Sequence, residues 1–535
     1  MLRLLHTARY LKPVQITNRV VRRIRKPRPW GGAVPGVNKA VQPWTTFAPL
    51  ASSMVDADTV CFLNEPGSSR EWQNPNKSHL WLYNLHYFDD LIAAGAAERV
   101  DIHRFMLSSW LEANPEGHGV GWEPYPTSLR VVNWMKWLLA GNEALPGMED
   151  SLFRQAHWLS QLLEYHLLGN HLLANAKALV FAGSYFSGEQ ADGWLQTGLA
   201  LLDEQHQEQL LADGGHFELS PMYHAIILMD VLDVIQLGGC YPSSLISGLM
   251  PNLRERAALM AAWLEGVLHP DRDIPFFNDA AFGIAPEPQA ILDYAHALGV
   301  EWQSADAEIQ HFDTSGYIAL RCHGQVAFLD VAGIGPDYIP GHAHADTLSF
   351  EWSLHGQRVL VNSGTSEYGV SEERLRQRGT ASHNTVAVNG EDSSEVWSGF
   401  RVARRARIID VQIKKTEEGA VIQAAHDGYH RLRPKVTHRR EWRISPERLE
   451  VHDSLEGHFR SAVAYLHIHP DVSASQTQDG AELLLPNGER CELSVEGGQL
   501  SLEDSTWHPE FGKVEKNQRV AIVFTEPRLK TILRH

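Results

Sequence analysis

Two regions of the chain gather side chains that can move protons or hold a metal. In the first, "LLGNHLLANAKAL" sets Asn170 beside His171, and "DGGHFELSPMYHAIILMD" further on supplies His216, Glu218, Tyr223 and His224. In the second, "PGHAHADTLSF" places His342 and His344 one residue apart with Asp346 beyond them. If that stretch is extended, the two-residue period turns both imidazoles to one face. Paired imidazoles suit a metal or a proton relay, and a solvated strand also tolerates the pattern. Downstream come Asn362 and Tyr368 in "LVNSGTSEYG", Arg374, Arg376 and Arg378 in "RLRQRG", and His383 in "ASHNTVAVNG". Guanidinium groups match carboxylate and sulfate bidentately and could cradle a polyanion; an ordinary charged loop uses them equally.

Regular elements must hold these groups. Gly214 and Gly215 followed by Ser220-Pro221 predict a helix that begins near Tyr223. From 81 to about 300, segments such as "SLRVVNWMKWLLAG", "SLFRQAHWLSQLLEYHLL" and "LRERAALMAAWLEGVL" repeat apolar residues three and four apart. At least six helices in series are expected, several apolar on more than one face, as in a toroid of paired helices. Beyond about 310 the pattern becomes short and alternating ("SGYIALRC", "QVAFLDVAG", "RVAIVFTEP"), the signature of an antiparallel sandwich. The fold class expected is therefore a multidomain α+β chain. A basic arm and irregular lead-in occupies 1–80, with a short strand near "TVCFLN"; an (α/α) toroid domain follows over 81–305, and an antiparallel β-sandwich over 306–535.

With 535 residues, 43% hydrophobic and 21% charged, the chain is long enough for two or three cores. No stretch reads as long and apolar enough to span a bilayer. The net charge of −18 conceals an asymmetry: residues 1–55 contain no acid, while Arg3, Arg9, Lys12, Arg19, Arg22, Arg23, Arg25, Lys26, Arg28 and Lys39 are all basic. Such an arm either attracts an anionic polymer or a membrane surface or folds onto the body as a solvated lead-in. Charged residues interrupt every apolar run, so no conventional signal peptide is expected, which leaves a cytoplasmic or a periplasmic, peripheral location open. Cys61, Cys240, Cys322 and Cys491 lack the spacing of a disulfide framework or a cysteine zinc site.

Taken together and in order, "GNHLLANAKAL", "DGGHFELSPMYH", "PGHAHADTLSF", "VNSGTSEY" and "SHNTVAVNG" resemble the heparinase II/III-like polysaccharide lyases, a group that includes alginate lyases. "WLYNLHYFDDL" resembles members associated with bacterial surface-polysaccharide gene clusters. The resemblance covers roughly residues 80 to 410. It implies an N-terminal incomplete (α/α) toroid, a C-terminal antiparallel β-sandwich and an active site between them. It further implies β-elimination on a uronate polysaccharide, in which a C5 proton leaves, the C4–O bond breaks and an unsaturated product forms. Asn170 and His171 would face the uronate carboxylate, with Tyr223 as acid/base and His342 as its partner. His344 and His383 would match metal ligands, with Asn362 where zinc-bearing relatives carry aspartate. A neutral amide is a poorer ligand for a dication, so the set reads equally as one structural Zn2+ site and as a site without an ion. No organic cofactor and no nucleic-acid partner are expected.

Around this centre, Glu218 can orient His171 or His224 or bond to the helix mouth, and His224 and Glu218 are candidates to touch the substrate. Trp122, Tyr125, Arg130 and Arg378 are candidates to line the same cleft; for the tryptophan, core packing is the competing explanation. Two other classes fit the bulk pattern. A toroid hydrolase would use two carboxylates such as Glu123 with Glu218 or Asp279. A non-catalytic polysaccharide-binding protein would hold polymer in surface-polysaccharide biosynthesis or export without cleaving it.

Overall fold

The computed structural model describes residues 2–303 and 307–535, so the expected boundary at 305/306 lies outside the described residues. Two helices open the chain, α1 (Leu2–Ala8) and α2 (Pro13–Ile24). The lead-in then forms a small hairpin, Thr59–Phe62 with Glu65–Ser68. The helical half comprises α3 (His79–Tyr87), α4 (Val100–Ala113), α5 (Pro124–Leu139), α6 (Met148–Ser160), α7 (Gly169–Tyr185), α8 (Glu189–Gln209), α9 (Pro221–Cys240), α10 (Ser244–Gly266) and α11 (Pro288–Ala297). These build an incomplete (α/α) toroid around one continuous apolar core. A last short helix, α12 (Glu372–Arg378), lies within the β half.

Close backbone approach sets the packing of α7 on α8. A Cβ on Gly183 would come 2.4 Å from the Leu195 nitrogen, and one on Gly198 2.9 Å from the Ala176 oxygen. Glycine inside a helix costs backbone entropy, and here it lets two helices touch without intervening side chains. The contact matters for function because α7 carries Asn170 and His171 at its first turn.

All ladder pairings of the β half are antiparallel. A five-stranded meander (Ile309–Phe312 through Gln357–Leu360) continues, through the Leu360–Ile468 bridge, into a four-stranded sheet that ends at Val386–Val388. An eight-stranded sheet, from Ile408–Lys415 to Ser473–Gln476 in spatial order, forms the opposite layer. Trp352, Trp442, Leu449, Leu493 and Ile522 fill the space between the layers. Strand Phe350–Leu354 is buried along its whole length. One face meets this core, and the other approaches the helical half, where Glu351 receives the Phe276 N–H.

An apolar seam joins the halves. Leu219, Trp263 and Phe277 from the helical side pack on Phe312, Tyr317, Ala319 and Phe328 of the meander. Trp507 and Phe511 of the β half complete the toroid core. Among the described residues, α9 passes for a membrane-crossing helix by length and composition alone. Its side chains are instead buried in the toroid, where helices on several sides replace lipid. None of the four cysteines is bonded; Cys240 and Cys491 are buried, Cys61 and Cys322 half-buried.

Gly183→Val is expected to cost about 1–3 kcal/mol, because a backbone contact cannot yield to a new side chain. Gly193→Ala, in the exposed part of α8 with open space around its Cβ, is expected to stabilise by up to about 1 kcal/mol. Urea unfolding of the two variants measures both.

Candidate active site

Three segments meet where the toroid faces the sandwich. Leu168 and Gly169 enter α7 at left-handed φ of 69° and 58°, which places Asn170 and His171 at the helix mouth. Ser220 caps α9 by accepting the Tyr223 N–H at 3.2 Å, with Pro221 at the first helical position, as the sequence predicted. The third segment is the stretch around His342 and His344. It is an irregular loop and not the extended strand considered above. It is held by exchange with the Asn278–Asp279 turn: Asp279 N–H donates to the His342 carbonyl and His344 N–H to the Asn278 side chain, each at 3.0 Å.

Asp279, fully buried, organises the loop. Its two oxygens accept from His342 Nδ1 and His344 Nε2, both at 2.8 Å, and from the guanidinium of Arg374. Burial pulls this carboxyl upward, but Arg374 and the two imidazole bonds outweigh it and hold the group well below the usual carboxylate range. Because a carboxylate only accepts, His342 carries a proton on Nδ1, and Nε2 is the nitrogen turned away from Asp279. The His342 ring lies against the Tyr223 ring with centroids 4.0 Å apart. The Tyr223 hydroxyl is 3.0 Å from that of Tyr368, which in turn lies 3.3 Å from His342 Nδ1. Burial first, then the neighbouring Tyr368, push the Tyr223 phenol well above its ordinary value, so it rests protonated.

Opposite stand the groups of α7. Glu218 is buried, accepts the Asn170 side-chain amide at 3.2 Å, and lies 3.6 Å from His342 Nε2. Burial raises its pKa despite His342 and Asn170. His171 donates from Nδ1 to Glu164 at 3.3 Å and packs on the Tyr125 ring at 4.5 Å. Burial alone would lower its pKa; the Glu164 charge reverses this and raises it, which favours imidazolium. Leu219 (φ 57°), Asn278 (φ 57°) and Leu348 (φ 64°) add further left-handed non-glycine backbone next to Glu218, Asp279 and the His342 loop. Clustered strain of this kind is typical of functional sites.

The structure thus brings together Asn170, His171, Glu218, Tyr223, His342 and Tyr125. Four residues assigned to the sugar do not reach it. His224 is buried, bonds the Met260 carbonyl at 2.9 Å and stacks on Trp263. It follows Tyr223 on a helix, so it turns about 100° away. Trp122 is buried between Trp110 and Trp158 and donates to the Asn114 carbonyl. Arg130 is buried against Gln155 and Trp110. Arg378 is buried on the carbonyls of Ala343 and Gly399. The arginine cradle is likewise corrected: Arg374 serves Asp279, Arg376 serves Glu373, and Arg378 props the His342 loop.

Asp279, Arg374, Tyr368 and Glu164 were not assigned to this chemistry. Asp279 carried a signal, since an acid inside the apolar run "PFFNDAAFG" must find partners if buried. Arg374 and Arg378 lie four apart, on one helix face. Tyr368 stands in the motif "VNSGTSEY" without a role attached to it there, and nothing marked Glu164.

His383 Nε2 lies 3.3 Å from His344 Nδ1, close to the separation of about 3.3–3.4 Å for two nitrogens on one tetrahedral zinc. His344 Nε2 is bound to Asp279, as a ligand's other nitrogen often is. Asn362, however, is buried with its side-chain oxygen accepting the Asn384 N–H at 3.1 Å. Among the described residues no group of three His, Cys, Asp or Glu could hold an ion. The donor set is one anionic ligand short and does not fit a closed structural zinc site.

Two family models align with the chain, the heparinase II/III N-terminus over residues 103–289 and the heparinase II/III-like C-terminal region over 305–534. The chain belongs to the heparinase II/III-like family. Relatives of this heparinase II/III-like chain include a heparin-sulfate lyase of Bacteroides stercoris, 25% identical over 44% of the chain and 38% of the relative. Another, from Bacteroides thetaiotaomicron, is 23% identical over 69% of the chain and 58% of the relative. The chain therefore spans less than two thirds of the length of either. A crystal structure of heparinase III superposes with a TM-score of 0.68 at 18% identity, covering 88% of this chain and 79% of that one. A heparan sulfate lyase mutant from Pedobacter heparinus gives 0.61 at 20% identity with the same coverages. These superpositions establish the shared toroid-plus-sandwich fold of the heparinase II/III-like family.

Behind the His342 loop, burial pushes Asp346 up to about 6, and burial together with the Asp346 charge raises Asp330. The folded state therefore holds protons that the unfolded chain releases near pH 4. The stability that these two groups contribute is expected to be fully present below that pH and to be lost as pH rises through about 6. Asp346→Asn is expected to flatten this slope in urea unfolding measured across the range.

Proposed function

We propose that the protein is a polysaccharide lyase that cleaves a uronate-containing, anionic polysaccharide by β-elimination. The observation that carries this reading is the Tyr223–His342 ring pair, one member from each half of the molecule, with Asp279 holding the imidazole by Nδ1. The C5 proton is weakly acidic while the adjacent carboxylate is charged, so that charge must first be met. His171, as imidazolium, and the second N–H of the Asn170 amide supply the donors and stabilise the enediolate-like transition state. His342 Nε2 then takes the C5 proton and the Tyr223 phenol gives its proton to O4 as the C4–O bond breaks and the C4=C5 bond forms. After the product leaves, His342 Nε2 gives up its proton to solvent and the Tyr223 phenolate takes one back, which restores the starting state.

A carboxylate-pair hydrolase finds less support, since Glu218 and Asp279 are buried and Glu123 is bonded by Tyr83. A purely binding role would not require the proton-transfer groups to be assembled as they are. The same reading leaves His344 and His383 as a hydrogen-bonded brace for the loop. Chelator dialysis is therefore expected to leave the melting temperature unchanged, whereas bound zinc would make it fall.

Incubation with a panel of uronate polymers should generate the absorbance of a conjugated double bond. Tyr223→Phe is expected to lower kcat by roughly 10²–10⁴-fold, with polymer affinity and melting temperature retained. Undiminished turnover in that variant would overturn the assignment.

A further inference from the structure

The N-terminal arm lies outside both matched regions and outside the chemistry above, and its second helix is docked inside out. The polar face of α2 meets the body. Gln15 is buried and its amide donates to the Leu167 carbonyl at 3.2 Å and the Tyr338 carbonyl at 3.3 Å. Lys12 pairs with Glu208 and lies 3.9 Å from the Tyr338 ring centre. Arg22 reaches His166 at 2.8 Å. At about 100° per residue, Val20 and Ile24 turn roughly 140° and 180° from Gln15, with Ile16 on the flank between; Ile16, Val20 and Ile24 are 51%, 53% and 78% exposed. A surface helix of a globular protein ordinarily does the reverse, burying its apolar stripe. The first helix repeats the inversion. Thr7 bonds the Val402 carbonyl and the Trp397 indole, while Leu2, Leu4 and Leu5 stand in solvent.

Charge narrows what could cover this face. Arg19, Arg23, Arg25 and Lys26 lie beside or just beyond the stripe, and among the described residues none is ion-paired. A second copy meeting this face with its own arm would bring the same cations to the contact and be repelled. A polysaccharide would engage the cations but gives isoleucine and valine nothing to bury against.

We propose that α1 and α2 form a peripheral docking surface for an anionic lipid bilayer, with the apolar stripe entering the headgroup boundary and the flanking cations meeting lipid phosphates. Through Gln15 the arm ties the loops that lead to Asn170 and to His342, so docking holds the rim of the cleft at the membrane surface.

The full chain is tested by co-sedimentation with phosphatidylcholine vesicles, with and without phosphatidylglycerol. Binding to the anionic vesicles is expected to be at least about tenfold tighter and to weaken with salt. The variant Ile16→Glu/Val20→Glu/Ile24→Glu, altered only at exposed positions, is expected to lose about tenfold or more of that binding, with an unchanged melting temperature. Equal binding to both vesicle types would overturn the proposal, as would a triple variant that binds like the parent. So would a dimer, seen by light scattering, that the same variant disperses. Vesicle binding is read without substrate, so its failure leaves the lyase reading untouched, and absent turnover leaves this one untouched.

Discussion

A single buried carboxylate holds the site together. Asp279 sits on the helical side of the junction, yet its four closest donors, on His342, His344 and Arg374, all come from the β half. A charge removed from water is tolerated only when it is paired and hydrogen-bonded. Breaking one partner of such a pair in other proteins costs about 3–5 kcal/mol, much of it from the charge left behind. The requirement to satisfy Asp279 therefore locks the two halves in one relation, fixes the His342 tautomer and sets its ring against Tyr223.

The rest of the junction supports that arrangement. The apolar seam of Leu219, Trp263, Phe277, Tyr317 and Phe328 brings the halves together without directional preference, whereas the polar contacts select a register. Left-handed backbone at Leu168, Leu219, Asn278 and Leu348 is sustained because each residue lies between groups pinned by other contacts. His171 and Tyr223 are tuned in opposite senses: Glu164 favours the charged imidazole, while burial keeps the phenol protonated. Both suit a reaction that begins by neutralising an anion and ends by protonating a leaving oxygen.

The residues misassigned from sequence share a property. Trp122, Arg130, His224 and Arg378 have side chains that can bind sugar or brace a core, and only burial tells the two apart. Arg130 finds Gln155 and an indole face; Arg378 finds backbone carbonyls left over by an irregular loop. Such partners are distant in the chain and leave no local pattern. Asn362 differs, because its neutral amide left the set open to both readings in the sequence, and its side-chain oxygen is taken up by the Asn384 N–H.

Local patterning was enough to determine the change from helical to alternating period, the start of α9 at Ser220-Pro221, the basic character of the arm and the set of groups able to transfer protons. These follow from the periods of helix and strand and from side-chain chemistry, which each short segment carries within itself. Only the tertiary structure decided that His342 and His344 share one carboxylate, that Tyr368 joins them, that α9 lies in a core, and that α2 faces its apolar stripe outward. Each of those outcomes depends on which distant surface is left to pair with a buried charge or to cover an apolar face, and that is settled when the whole chain packs.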